Sequence, residues 1–202
     1  NAGVRVNLAT GTATDGFGGH DTLISIEQVT GTNQADNLTG GDANLGTGNA
    51  YEVFALGGDD TITAGAGQLY VEPGAGDDSI IGGSSHSDQI SYAEYTGANG
   101  AVFDFVHGTV ADPYGGTDHF TGVEGARGTA NGDDFIGSSG NEFFRGLAGN
   151  DTFNGGGGDD EVRYDKDAQY GGTAGVVVNL SAGNATDGFG DTDKLIGIDR
   201  VR

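Results

Sequence analysis

Carboxylates stand at fixed offsets from glycines and apolar residues in this chain, a placement suited to holding cations rather than to catalysis. In Gly146-Leu-Ala-Gly-Asn-Asp151-Thr-Phe153-Asn, glycine comes first, an acid sixth and an apolar residue eighth. The next unit, Gly155-Gly-Gly-Gly-Asp-Asp160-Glu-Val162-Arg, follows at once. Gly137 to Arg145 and Gly128 to Ile136 precede in the same register, with Glu142 and Asp133 sixth. An enzyme places its acids once; these recur every nine residues. A fixed short period means a stacked fold in which each repeat touches its neighbours. If nine residues make half a turn, acids 18 apart face each other: Asp60 and Asp78, Asp133 and Asp151, Glu142 and Asp160.

Two carboxylates about 5 Å apart repel by about 3 kcal/mol at an effective dielectric of about 20. A few such pairs would consume much of the ~5–15 kcal/mol that stabilises a domain. A divalent cation between them reverses the sign. Calcium suits the gap best, because it accepts about six to eight hard oxygens in flexible geometry, while magnesium resists losing its waters. Zinc would want His or Cys.

Short strands must position these acids. Gly supplies 42 of the 202 residues, and each costs about 1 kcal/mol in a helix interior relative to Ala. No stretch holds an amphipathic helical period. The Gly-rich first six residues of a unit can turn their carbonyls toward one point. The last three form a strand with the position-eight residue inward, stacking Ile62 on Ile80, Phe135 on Phe153 and Phe144 on Val162. Equivalent strands then lie about 4.8 Å apart.

A longer cassette interrupts the nonapeptides. Gly3-Val-Arg-Val6-Asn7-Leu8, with Asp15-Gly-Phe17-Gly, Asp21-Thr-Leu23 and Ile26 after it, recurs 97 residues later from Gly100 and 172 later from Gly175. The alternation in Val4-Val6-Leu8 and Val176-Val178-Leu180 is strand-like, with Asn or Asp at a turn-prone position. Asp88-Gln-Ile90-Ser-Tyr92 also matches Asp160-Glu-Val162-Arg-Tyr164. Because the chain starts and stops inside a cassette, it reads as a piece of a longer array.

Acids outnumber bases 30 to 8, for a formal charge of −22. Nothing in that balance could neutralise phosphates, which excludes nucleic acid as a partner. The absence of Cys rules out disulfides and fits a secreted protein stabilised by another device. No apolar run approaches membrane-spanning length, and Asn1-Ala-Gly-Val-Arg has no signal-peptide character.

The array resembles the RTX (repeat-in-toxin) calcium-binding family, whose nonapeptide is Gly-Gly-x-Gly-x-Asp-x-apolar-x. The resemblance is strongest over 128–163 and clear over 46–90. It implies an all-β fold, a right-handed parallel β-roll with Ca2+ between successive coils. The division is a spacer cassette at 1–45, a roll block at 46–90, a second cassette at 91–127, a block at 128–163 and a third cassette at 164–202. Each ion would take carbonyls from positions two and four of one loop and one and three of the loop 18 residues on, completed by both position-six acids. Carried over, that gives Leu56, Gly58 and Asp60 with Pro73, Ala75 and Asp78. It also gives Thr129, Asn131 and Asp133 with Gly146, Ala148 and Asp151, and Ser138, Gly140 and Glu142 with Gly155, Gly157 and Asp160. Glu142 is one methylene longer than the usual Asp, and Pro73 stands where Gly is usual. In the intervening unit Ala64 to Glu72, position six is Leu69, so that side of the coil lacks an acid. Between Gly40 and Gly48 the register slips. Asp42 lies 18 before Asp60 without an apolar residue two later, whereas Asp36 has Leu38 correctly placed as a single ligand.

The resemblance further implies a calcium-binding structural module of a larger secreted or surface-displayed bacterial protein, folding on calcium outside the cell after type I export. Its partners would be calcium ions and the parent's flanking domains. The rival is a polysaccharide- or surface-recognition module of an adhesin or an alginate epimerase-type enzyme, which needs outward aromatic or basic residues in ranks. Asp21, Asp118 and Asp193 recur in each cassette two residues before an apolar one, and either metal ligation or turn chemistry explains them. Asp15, Asp112 and Asp187 favour the turn reading. Asp59, Asp77 and Asp159 should point outward. Phe17, Tyr114 and Phe189 share one cassette position, as do Leu8, Phe105 and Leu180, and both sets read as core. The four histidines share no position and read as exposed. Arg127, Arg145 and Arg163 fall 18 apart and look like surface neutralisers, so the fragment itself reads as no enzyme.

Overall fold

A computed structural model describes residues 2–42 and 50–202, so the start of the block expected over 46–90, and Gly48 of the register slip, lie outside the described residues. The chain forms two compact units, Asn1–Ile90 with Tyr114–Val123, and Ser91–Pro113 with Glu124–Arg202. Among the described residues the only helical element is the short 3-10 turn Asp167–Tyr170. The rest is strands of a few residues, as a chain so rich in glycine requires. The fold is an all-β parallel β-roll.

In the first unit the chain alternates between two parallel ladders. One stacks Asn37–Thr39, Thr61–Thr63, Ser79–Ile81 and Thr117–Thr121, aligning Leu38, Ile62, Ile80 and Phe120. The other stacks Gln28–Thr30, Tyr51–Phe54, Leu69–Glu72 and Gln89–Ser91, aligning Val29, Val53, Val71 and Ile90. These inward residues are buried from both sides. Their apolar area, not helix or turn propensity, holds the two ladders together.

The second unit repeats the plan with larger side chains. Val102–Asp104, Asp134–Ile136, Thr152–Asn154 and Thr192–Ile196 align Phe103, Phe135, Phe153 and Leu195. Opposite them, Gly125–Arg127, Phe143–Arg145, Glu161–Val162 and Arg200–Val201 align Ala126, Phe144, Val162 and Val201. In-register stacking places the Phe103 and Phe135 centroids 4.9 Å apart and those of Phe135 and Phe153 4.8 Å apart, with the ring planes nearly parallel. Position eight therefore makes a continuous aromatic column.

The loops between ladders stack as well. Ala75 N–H donates to Leu56 O at 3.0 Å and Gly58 N–H to Ala75 O at 2.9 Å. Gly74 has φ +96° and Gly158 φ +116°; a Cβ on either would overlap the carbonyl of Leu56 or Gly140 in the neighbouring loop. Only glycine allows both the left-handed turn and the close approach.

The cassettes depart from the parallel plan. Arg5–Asn7, Thr12–Thr14 and His20–Thr22 pair antiparallel, as do Val177–Asn179, Asn184–Thr186 and Thr192–Ile196. The reversal follows from Asn7 and Asn179, whose Oδ1 atoms accept the N–H groups of Thr10 and Ala182, with Gly11 and Gly183 at positive φ just beyond.

The shared cassette aromatics correct the core expectation. Phe17 is 84% and Tyr114 48% exposed, and Phe189 is half-buried. In the first cassette the cause is visible: the Asp15 carboxylate holds the Phe17 and Gly19 N–H groups in a tight turn, leaving the ring at its tip. Of the other set, Leu8 and Phe105 are half-buried and Leu180 is exposed. The arginines are corrected in the opposite sense. Arg127 and Arg145 are buried, because the chain after Tyr164 crosses their face: Asp165 pairs with Arg145 at 2.8 Å and the Tyr170 hydroxyl meets Arg127. Arg163 lies 4.1 Å over the Phe143 ring and pairs with Glu161. The four histidines are exposed.

Candidate metal centre

Along both units, acids at or just before roll strands reach across to the coil before them. In the first unit Asp36 N–H donates to Asp60 Oδ1 at 2.7 Å, Asp60 N–H to Asp78 Oδ1 at 2.7 Å, and Asp78 N–H to Asp118 Oδ1 at 2.9 Å. In the second, Ala101 N–H donates to Asp133 Oδ1 at 2.6 Å, Asp133 N–H to Asp151 Oδ1 at 2.8 Å, and Asp151 N–H to Asp193 Oδ1 at 3.0 Å. The opposite side carries Glu142 N–H to Asp160 Oδ1 at 2.9 Å and Asp160 N–H to Asp199 Oδ2 at 3.1 Å. Every one of these acids except Asp199 is buried.

One carboxylate oxygen is thus spent on the backbone. The other is left over: Oδ2 of Asp60, Asp151 and Asp160 is buried with no hydrogen-bond partner. A buried unsatisfied polar atom costs about 1–3 kcal/mol, more when charged, so a column of them calls for a counter-charge. Position-one glycines make the room. A Cβ on Gly128, Gly146 or Gly155 would collide with the Oδ2 of Asp133, Asp151 or Asp160 in the same repeat. At these three positions glycine is required by that carboxylate rather than by a positive φ.

Among the described residues no three His, Cys, Asp or Glu side chains form a metal-holding group. The acids come in single file, at most one per coil on a side, so a cation here would draw its remaining oxygens from main-chain carbonyls. The stacked loops bring carbonyl-bearing residues into place. Leu56 O and Ala75 O each accept one N–H and Ser138 O accepts that of Gly157, leaving a second lone pair on each. Gly58 lies within the same stacked loop and Pro73 opens its partner after Leu69–Glu72. Thr129 and Asn131 are tied into the Asp133 loop, the Thr129 N–H donating to Asp133 Oδ2 and the Asn131 N–H to Thr129 Oγ1. Gly146 and Ala148 frame the loop of Asp151, where Leu147 takes φ +77°. The longer Glu142 is clamped by Ser138, whose hydroxyl donates to Oε1 at 2.5 Å, with Gly140 N–H on that hydroxyl. Hard oxygens, buried and partly orphaned, fit calcium.

Electrostatics give the same picture. Burial first, then repulsion from Asp133 and Asp193, pushes Asp151 up to about 9. Burial raises Asp133 to about 7, and burial with Asp36, Asp59 and Asp118 nearby raises Asp60 to about 7. Burial with Asp187 and Asp167 lifts Asp193 to about 6. An acid raised in the folded state contributes stability below its unfolded value and loses it as pH rises through the folded one. Calcium-free chain is therefore expected to be most ordered near pH 4 and to lose β structure between pH ~4 and ~9. Circular dichroism after exhaustive dialysis against metal-free buffer measures this; a β signal flat across that range would contradict the raised values.

The structure also separates the cassette acids. Asp118 and Asp193 join the columns, whereas Asp21 is exposed on its strand. Asp187 Oδ1 accepts the N–H groups of Phe189, Gly190 and Asp191, which is turn chemistry. Asp59, Asp77 and Asp159 are exposed, and Asp59 Oδ1 accepts the N–H of Asp77. Asp36, not Asp42, pairs with Asp60, because that coil is 24 residues long; Asp42 instead accepts the N–H of Ala66. Two acids went unrecognised. Asp88 accepts the N–H groups of Leu69 and Gly83, placing an acid on the side where Leu69 occupies position six. Asp199 closes the Asp160 column. Each stands two residues before an apolar residue, Ile90 and Val201, and that signal could have found both.

The family model described as the RTX calcium-binding nonapeptide repeat matches the chain in four copies, over residues 52–68, 74–86 and 136–168. No curated protein matches the chain. The matched stretches contain Asp60, Asp78, Glu142, Asp151 and Asp160, and the hydrogen-bonded columns extend beyond them to Asp36, Asp118, Asp133 and Asp193. The chain carries the RTX calcium-binding nonapeptide repeat, folded as a parallel β-roll.

Proposed function

We propose that this chain is a calcium-binding structural module of a larger secreted or cell-surface bacterial protein, its folding coupled to calcium. The orphaned buried oxygens of Asp60, Asp151 and Asp160 carry the reading. Bound calcium would supply positive charge and open coordination positions between coils. The acids Asp60 with Asp78, Asp133 with Asp151, and Glu142 with Asp160 would hold it together with the loop carbonyls. Roll blocks at 46–90 and 128–163 would be the binding segments and the cassettes at 1–45, 91–127 and 164–202 their spacers. In a low-calcium cytosol the −22 charge would keep the chain extended and exportable; outside, ions that bind only the folded form would favour it by mass action. The role is mechanical rather than catalytic. A recognition role has less support, since Arg127 and Arg145 are covered instead of ranked outward.

Equilibrium dialysis with radioactive calcium, on the chain and on Asp151→Asn, tests the reading. The chain is expected to take up calcium in the presence of excess magnesium, and the variant to bind fewer ions. Equal uptake by both would remove Asp151 from the ligand set, and no uptake by either would end the proposal.

A further inference from the structure

The cassettes are variants of one sequence pattern with different neighbours. In the first unit the strand Thr117–Thr121 of the second cassette pairs parallel with the roll strand Ser79–Ile81, Phe120 on Ile80. In the second unit Thr192–Ile196 of the third cassette pairs likewise with Thr152–Asn154, Leu195 on Phe153. Each seats on the roll that precedes it in sequence, and each ends that roll's acid column by accepting its last N–H, Asp118 from Asp78 and Asp193 from Asp151. The corresponding strand of the first cassette is His20–Thr22. Among the described residues it is a sheet edge, paired with Thr12–Thr14 alone.

That difference has visible consequences at homologous positions. Thr117–Thr121 and Thr192–Ile196 run for 5 residues each, but His20–Thr22 for 3. Phe120 and Leu195 are each 5% exposed, while their counterpart Leu23 is half-buried and the next residue, Ile24, is 79% exposed. Asp118 and Asp193 are buried; Asp21 is exposed. The far end mirrors this. Val178 is half-buried on the edge strand Val177–Asn179, whereas its counterpart Phe103, covered by Asp134–Ile136, is fully buried. A strand edge with an apolar residue and an acceptor already in place is a template for one more strand.

We propose that His20–Thr22, continued by Leu23 and Ile24, is the docking edge for the terminal coil of a further nonapeptide roll joined ahead of the cassette. The incoming strand runs parallel, with positions seven, eight and nine against Thr22, Leu23 and Ile24. Its position-six acid donates its N–H to Asp21, and its position-eight side chain covers Leu23. A second copy of this chain is a poorer occupant, because its corresponding roll strands, Ser79–Ile81 and Thr152–Asn154, are already covered. The inference goes beyond calcium binding and concerns backbone pairing.

The test duplicates residues 50–98 and joins them to Ala2, which restores before the first cassette the spacing found before the second. Hydrogen–deuterium exchange by mass spectrometry in calcium reads peptides covering 20–26. Their exchange is expected to slow at least about tenfold, to the rate of 117–123 in the same molecule, and the duplicated peptides to give one slow population. Asp21→Ala with Leu23→Asp should return 20–26 to the parent rate. Exchange at 20–26 as fast in the extended chain as in the parent overturns the proposal, whether or not the added coils are protected, since the edge is what seats them. Protection of 20–26 in the parent that grows with protein concentration also overturns it, by making a second copy the occupant.

Discussion

Stripped of calcium at neutral pH, the chain is expected to lose most of its β-sheet signal and to swell, and to recover both when calcium returns. The folded state concentrates carboxylates in columns one strand spacing apart, about 4.8 Å, in a molecule of formal charge −22. At that separation each neighbouring pair costs about 3 kcal/mol at an effective dielectric of about 20. The apolar interior opposing this is narrow, one inward side chain per strand on each side. Each site filled at about 100 times its Kd adds about 2.7 kcal/mol to the folded form. A few sites therefore match the ~5–15 kcal/mol by which domains are ordinarily stable. Far-UV circular dichroism and hydrodynamic radius, followed through chelation and back-titration, provide the measurement, with magnesium at equal ionic strength as the screening control. A full β signal in chelator, unmoved by calcium, would refute the coupling. Recovery in magnesium alone would reduce it to charge screening.

Phe135→Ala is expected to cost about 3–5 kcal/mol in saturating calcium. The ring is fully buried between Phe103 and Phe153, 4.9 and 4.8 Å away, with Phe144 at 5.4 Å. Its neighbours cannot collapse into the space, because in-register main-chain ladders fix the strands on both sides. The cavity therefore persists and adds to the lost transfer energy. Phe17→Ala, at a ring 84% exposed, should change stability by less than about 0.5 kcal/mol. Urea denaturation at fixed calcium measures both, with an unchanged slope indicating that only stability moved. A cost below about 1 kcal/mol for Phe135→Ala would mean that the aromatic column is not what binds the coils together.

Much of this was readable from residue spacing. A nine-residue period allows one acid and one inward apolar residue per half coil, so Ile62 on Ile80 and Asp133 on Asp151 follow from arithmetic. Arithmetic failed where coil length varied. Asp36 meets Asp60 across 24 residues, Asp78 meets Asp118 across 40 and Asp160 meets Asp199 across 39. Loops and cassettes bulge from the coil without disturbing the ladder, because hydrogen bonds constrain where strands lie and not how much chain joins them.

By itself, the amino-acid sequence determined the repeat, the all-β class, the inward column at position eight and the acids at position six, since each depends on local period and residue chemistry alone. Only the tertiary structure decided which acids end a column, why Gly128, Gly146 and Gly155 must be glycine, and what covers Arg145. It also separated Asp21 from Asp118 and Asp193, three residues in the same sequence setting. Burial and pairing are properties of a residue's neighbours across coils, and cassettes of one pattern acquire different neighbours according to which roll lies against them.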